Sequence, residues 1–415
     1  MPGEGVEPSR AEAHGFLRPA RLPIPPSRPG RSRVTARSAR AGLIALLALT
    51  VSPCTEDVPP SSDGVTTIAF LFDGSPADAE LVTGPALAGL ELAAHRAGET
   101  HIEIAPVNLG LERGEVIASL RALGEDHGVV AAVVAPWTAP PSGAIELLAE
   151  YGVPVVTLSW AWGPPPEGAG DGLWLSFATG RAHEAVMLLT EGADATPAGG
   201  TLCVAGDDHP TSRELLATTE DLGRAAGDPE AISAGIVSAA DPVVTGDAVA
   251  SRIADARCPV LVWIGETIGA TPVLEAVPDP PSVIATSRMK TDDGLDVAAS
   301  GVEVRAVCAC TDVSLSMEPD RQRFVHDLQA ASGSPPGPFA LEAYDAGRFL
   351  AGLVEDAEGG DPREHLMTAL DGLTEFHGLE SVYRFEPDGS RAPGSITVGR
   401  WRAAGSRWLP EEEAL

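Results

Sequence analysis

From Thr66 onward short apolar runs alternate with amphipathic stretches at a steady beat, and few architectures accept that rhythm. The run 67–72 (TIAFLF) is continuously apolar, as a strand buried on both faces must be. Thr83, Gly84 and Pro85 then open a helix, with proline in the first turn where a missing N–H costs nothing. Leu87, Leu90, Ala94 and Ala97 form its apolar stripe and Gly98 ends it. The pattern predicts further strands at 101–107, 129–135 and 153–158. Between them lie a helix carrying Val116, Leu120 and Leu123 and another at 143–151. After a Gly- and Pro-rich loop, 163–172, and a looser stretch near 173–180, the beat resumes. Strands are expected at 201–205, 232–237 and 260–264, with helices near 212–226, 247–256 and 271–276. This order predicts an α/β chain of two similar parallel-sheet lobes with right-handed crossovers. In open parallel sheets a ligand sits at the carboxyl ends of the strands, here facing a cleft between domains.

The residues ahead of this body differ in kind. Residues 1–40 hold eight Arg and three acids, and residues 41–53 (AGLIALLALTVSP) are uncharged, followed by Cys54. A basic stretch, a short apolar run and a small-residue exit describe a secretory signal, and the run is shorter than the roughly 20 residues a bilayer demands. Residues 1–33 are Pro- and Arg-rich, resemble no fold and read as a wrongly assigned start, with Val34 as an alternative initiator. Segments 54–65 and 410–415 read as a linker and an acidic tail.

After residue 53 the chain carries 20 basic against 56 acidic residues, and the whole has a net charge of −31. Nucleic acid is excluded as a partner, because phosphate neutralisation needs clustered Lys and Arg. Arg outnumbers Lys by 27 to 1, Lys290 being the single Lys. Four Cys follow Cys54 (Cys203, Cys258, Cys308 and Cys310), with no CxxC pair and no His cluster, so a zinc site is not expected. Cys308 and Cys310 would share one face of a strand. Export permits a Cys203–Cys258 disulfide, and buried free thiols fit equally well. Asp207, Asp208 and His209 are consecutive, which suits a turn capping the next helix rather than a metal cage. There is no G-x-S-x-G elbow, H-E-x-x-H, P-loop or G-x-G-x-x-G after a strand, so neither an enzyme nor a cofactor is expected.

Several ordered segments carry a family resemblance. Residues 83–94 (TGPALAGLELAA), 128–136 (GVVAAVVAP), 150–156 (EYGVPVV), 344–350 (YDAGRFL) and 376–389 (FHGLESVYRFEPDG) follow one another as in branched-chain amino-acid-binding proteins of ABC transporters. In the last segment Ser381 stands where that family has its second Gly. The chain thus resembles the extracytoplasmic leucine/isoleucine/valine-binding family of the type 1 periplasmic-binding fold, over about 66–408. The resemblance implies two hinged lobes with three interlobe crossovers, the first lobe at 66–178 plus 310–392 and the second at 179–309 plus 393–409. It implies a monomeric receptor that captures a small-molecule solute and delivers it to an inner-membrane ABC permease. A non-transport sensor or a cell-wall-regulating lipoprotein on the same fold is the alternative. Val51 to Cys54 resembles a lipobox, with Pro53 departing from its pattern, so Cys54 is the expected lipidation site of a membrane-anchored, periplasmic protein.

Carried over position by position, the family's ligand-carboxylate site matches Trp137, Thr138 and Ala139 with Ser159, Trp160 and Ala161. Thr138 and Ser159 either supply hydroxyls to the ligand or satisfy their own turns. Trp160 and Trp162 either stack on a ligand ring or pack against their loop. From the second lobe, Thr211 stands near the family's aromatic position, and its ammonium-pairing carboxylate falls near Ser287 and Arg288, where no acid exists. Glu266 is the substitute; otherwise Arg288 and Lys290 suit an anionic or neutral solute better than an amino acid.

Overall fold

The computed structural model describes residues 66–411, apart from 75–82, 98–100, 111, 165–171, 227–230, 315, 358–359, 380 and 394–396. The leader, Cys54, the 54–65 linker, Gly98 and most of the acidic tail lie outside the described residues.

Two sheets carry the molecule. The first is wholly parallel, in the order β2-β1-β3-β4-β5. Its strands are β1 (Thr66–Phe72), β2 (Ile102–Asn108), β3 (Val129–Val134), β4 (Val155–Thr157) and β5 (Trp174–Ser176). The apolar runs of β1 and β3 are buried almost throughout, because helices cover both faces of a parallel sheet. β2 is an edge strand, which is why Pro106 is tolerated there and its burial alternates. The stretch read as loose at 173–180 in fact contributes β5 before the chain leaves this sheet. The second sheet has β6 (Leu202–Asp207), β7 (Ala231–Val237), β8 (Val260–Ile264), β9 (Ser282–Thr286) and β10 (Val304–Cys308) in parallel. Two antiparallel strands, β13 (Gly399–Ala404) and β14 (Arg407–Pro410), extend it beyond β10. A small hairpin joins β11 (Glu375–His377) to β12 (Val382–Arg384).

Helices α1 (Gly84–Arg96), α2 (Arg113–Glu125) and α3 (Ala144–Glu150) connect the first strands, and α4 (Arg181–Ala195) opens the second half. The second sheet is flanked by α5 (Pro210–Ala226), α6 (Pro242–Ala256), α7 (Thr267–Ala276) and α8 (Asp292–Ala299). Pro210 and Pro242 start α5 and α6 earlier than the apolar periodicity alone suggests. Helices α9 (Pro319–Ser332), α10 (Ala340–Asp356) and α11 (Pro362–Leu370) then return to the first sheet, α10 packing against α1. A Cβ on Gly89 would lie 2.1 Å from the Ala340 carbonyl oxygen, so only glycine lets α1 and α10 approach this closely.

Arg363 in α11 is buried and its guanidinium donates to five backbone carbonyls. They belong to Leu123, Gly124 and Asp126 at the end of α2, Val129 at the start of β3, and Tyr151 after α3. These carbonyls include helix-end acceptors that have no partner of their own within the helix. In the second sheet a disulfide joins Cys203 of β6 to Cys258 before β8, with Cα atoms 5.7 Å apart. A second disulfide links Cys308, the last residue of β10, to Cys310, which lies beyond that strand rather than within it.

The chain passes between the sheets three times, and the three passages are tied together. Glu342 accepts the Thr311 N–H at 2.7 Å, Thr311 and Thr397 share a hydroxyl bond at 2.7 Å, and Arg391 donates to the Phe177 carbonyl at 2.8 Å. Nearby, Asp345 accepts the Leu379 N–H and the Tyr383 hydroxyl, while burial pushes its carboxyl up to about 7. Among the described residues no helix is long and apolar enough to cross a membrane.

Candidate functional site

The carboxyl ends of strands from both sheets surround a cavity of about 170 Å³. Asp73 follows β1 and Trp137 follows β3, while His209, Glu266 and Arg288 follow β6, β8 and β9. A smaller recess of about 150 Å³ shares His209, Glu266 and Arg288 and runs along the second sheet past Asp207 and Ile268.

Trp137 dominates the first-sheet wall. It is buried, and its backbone sits at φ 63°, the left-handed region that bulky residues rarely adopt. Its indole donates to the Ser287 hydroxyl at 3.3 Å, bridging the two sheets, and its ring meets Trp160 edge-on at 6.4 Å. Asp73 accepts the Ala139 N–H at 2.7 Å and lies 3.6 Å from Nε2 of His209. His209 Nδ1 is 2.7 Å from the Thr211 hydroxyl, so a tautomer protonated at Nε2 accepts from Thr211 and faces Asp73.

Arg288 is the buried cation of this site. Its guanidinium pairs with Glu266 and lies 6.0 Å from the centroid of the Trp137 ring. Its Nε and Nη1 are buried and meet no acceptor from the protein. An unpaired buried charge-bearing donor is costly, so these N–H groups define where an acceptor belongs. Glu266 is held in turn by its own N–H, which donates to Asp207 at 2.7 Å. Asp208 binds the Ser238 hydroxyl and the Ala239 N–H. The two aspartates therefore brace neighbouring loops, and Asp207 also accepts the His209 N–H at 3.2 Å, closing the expected turn ahead of α5. Among the described residues no cluster of His, Cys, Asp and Glu is arranged to hold a metal.

Trp137, Glu266 and Arg288 thus line one cavity, whereas the remaining carried-over residues are placed differently. Thr138 is fully buried, with its hydroxyl unpaired. The Ser159 hydroxyl donates to the Thr138 carbonyl at 2.9 Å and receives the Ala161 N–H at 3.4 Å. Thr211 is buried behind His209. Trp160 is half-buried, with the Arg181 guanidinium 5.8 Å from its ring centroid, and lines a separate cavity. Lys290 lies over Trp401 at 5.0 Å, outside the cavity lining, and burial lowers its pKa. Asp73 and His209 were not singled out by the sequence as site residues. Asp73 immediately follows the run 67–72, and that strand-end position is the signal that would have found it.

Two parallel-sheet lobes joined by three passages, with a cavity walled by strand ends from both, define a solute-binding receptor fold. The family model described as Periplasmic binding protein matches residues 66–406, and the chain belongs to that family. Its structural neighbours include substrate-binding proteins of ABC transporters. The Streptococcus pneumoniae branched-chain amino acid transporter substrate-binding protein, in complex with isoleucine, superposes with a TM-score of 0.65 at 15% identity. That match covers 84% of this chain and 100% of the other. An ABC transporter substrate-binding protein from Desulfitobacterium hafniense, in complex with Leu, gives 0.63 at 17% identity over 83% and 99% of the two chains. A solute-binding protein from R. palustris, in complex with benzoate, gives 0.61 at 15% identity over 84% and 95%. Among the curated proteins no sequence matches the chain significantly.

Proposed function

We propose that this protein is an extracytoplasmic receptor that captures a small polar solute between its lobes and delivers it to an ABC permease of the inner membrane. In this reading the lobes are 66–178 with 310–392 and 179–309 with 393–409, Cys54 carries the lipid anchor, and the receptor acts as a monomer. The observation that carries it is the buried Arg288 guanidinium, two of whose nitrogens lack a protein acceptor, beside a cavity built from both sheets. The solutes named in the three neighbours, isoleucine, Leu and benzoate, all contain a carboxylate, which is the partner those N–H groups suit. Glu266 is occupied by Arg288 and Asp73 faces His209, so among the described lining residues no acid stands uncommitted for a ligand ammonium. The solute is therefore an acid or a neutral polar molecule rather than a branched-chain amino acid. Binding selects the closed arrangement because only there do both lobes make contact.

Glu266 being taken by Arg288 also supports a second reading, a ligand sensor or cell-wall-regulating lipoprotein on the same fold. Calorimetric titration with amino acids, amides, sugars and simple carboxylates tests the capture step. Arg288→Gln should weaken any carboxylate bound in the cleft by at least tenfold. Tight leucine binding, whatever Arg288→Gln does to it, would overturn the ligand assignment. Intact mass of the membrane fraction tests the anchor: acyl mass on a chain beginning at Cys54 is expected, and a mature chain beginning elsewhere removes it.

A further inference from the structure

A cavity beside the lobe passages shares no lining residue with the cleft. It has a volume of about 650 Å³, within the usual range for small-molecule sites, whereas the cleft cavity falls below it. Three indoles wall it: Trp160 and Trp162 from the loop after β4, and Trp174 from β5. Trp162 is 1% exposed and Trp174 7%. The Nε1 of each of the three is buried and finds no acceptor in the protein. Indole nitrogen can only donate, so three such groups around one space call for an acceptor from elsewhere.

The opposite wall is the start of α4, through Gly180, Ala182 and His183. Gly180 caps this 15-residue helix without a side chain, leaving its first-turn amides no side-chain acceptor. A helix N-terminus favours negative charge. Buried Arg391 adds a guanidinium to the same lining, and Glu386, exposed at the edge, is the only acid among the described lining residues. The Ser176 hydroxyl is spent on the Ala178 carbonyl. Among the described lining residues, then, the space is rich in donors and faced with aromatic rings, its side-chain acceptors being the Glu386 carboxylate and the Ser176, Thr179 and Ser390 hydroxyls.

We infer that this cavity is a second binding site, distinct from the cleft, for a flat organic anion of the aromatic carboxylate class. The carboxylate accepts from the indole and helix-start N–H groups while the ring packs among Trp160, Trp162 and Trp174. Because Trp160 and Trp174 belong to the first-sheet side and α4 packs on β8 and β9, such a ligand would touch both lobes.

Calorimetric titration of the intact protein with benzoate, benzamide and acetate tests this. Benzoate is expected to bind, with benzamide and acetate each at least tenfold weaker. Affinity for benzoate should persist in Arg288→Gln and fall at least tenfold in the Trp162→Phe/Trp174→Phe double variant, which keeps the rings and removes two donors. Should that double variant fail to fold, Val186→Glu places a negative charge on an exposed rim position and should weaken benzoate alike. The site is refuted if benzoate does not bind. It is refuted equally if binding is lost in Arg288→Gln while the Trp and Val186 variants leave it unchanged. Benzamide or acetate binding as well as benzoate would overturn the ligand class.

Discussion

The two sheets share an architecture and differ in what holds them. The first is fastened by a buried guanidinium: Arg363 gathers the ends of α2 and α3 and the start of β3 through five carbonyls. The second is fastened by a covalent link, Cys203–Cys258, which closes a loop across a sequence separation of 55. A hydrogen-bonded clamp acts on the native state, because its carbonyls are left unsatisfied once the guanidinium is removed. A disulfide acts chiefly by restricting the unfolded chain. The lobes should thus fail under different insults.

The sharpest way to break this comparison is Arg363→Met, which leaves the buried carbonyls without their donor. A loss of about 4 kcal/mol is expected, the scale seen when one partner of a buried charged network is deleted. Hydrogen exchange should rise first in α2, α3 and β3; equal loosening of both sheets would show that Arg363 does not act locally. Next comes the double variant Cys203→Ser/Cys258→Ser. Loop-closure entropy over a separation of 55 predicts a loss of at most about 4 kcal/mol. Denaturant unfolding measures it, with reductant destabilising the parent protein and not the variant.

The third effect comes from Glu184 in α4, and its sign is opposite. Burial without a compensating charge pushes this carboxyl up to about 8. The folded state therefore holds the proton more tightly than the unfolded chain, whose value is near 4.5. Stability falls as pH rises from about 4.5 through 8. Glu184→Gln should gain up to about 4 kcal/mol at pH 8, and the gain should vanish near pH 4. Unfolding curves at both pH values check this, and a gain independent of pH would rule out titration as its source.

How much of this was legible beforehand depended on whether a feature repeats locally. β1, β3 and β8 were readable because strands buried on both faces form unbroken apolar runs. β5 was hidden, since three residues between a Gly-Pro loop and a passage between sheets leave no period to detect. α4 went unread because Gly180 gives it no capping signature. The Cys203–Cys258 pairing stood open beside free thiols, since spacing alone cannot join them. Arg363 gave no sign at all, because its partners are main-chain groups far away in sequence. The site divides in the same manner. Trp137 and Glu266 lie where predicted strands end, whereas Arg288 follows β9, which the apolar pattern did not predict, and was found through the family resemblance. That Arg288 pairs with Glu266, that Trp137 reaches Ser287, and that Trp162 and Trp174 border a common space are facts of folded distance.

The bonds among Glu342, Thr311 and Thr397, with Arg391 on Phe177, bear on motion. Three connectors laced side by side behave like a door pin: they permit swinging and resist sliding. In the proposed capture of a solute the jaws would part by rotation, and the residues farthest from the pin would travel the greatest arc. Distance from that pin, more than burial, sets how far each wall of the groove moves when it opens.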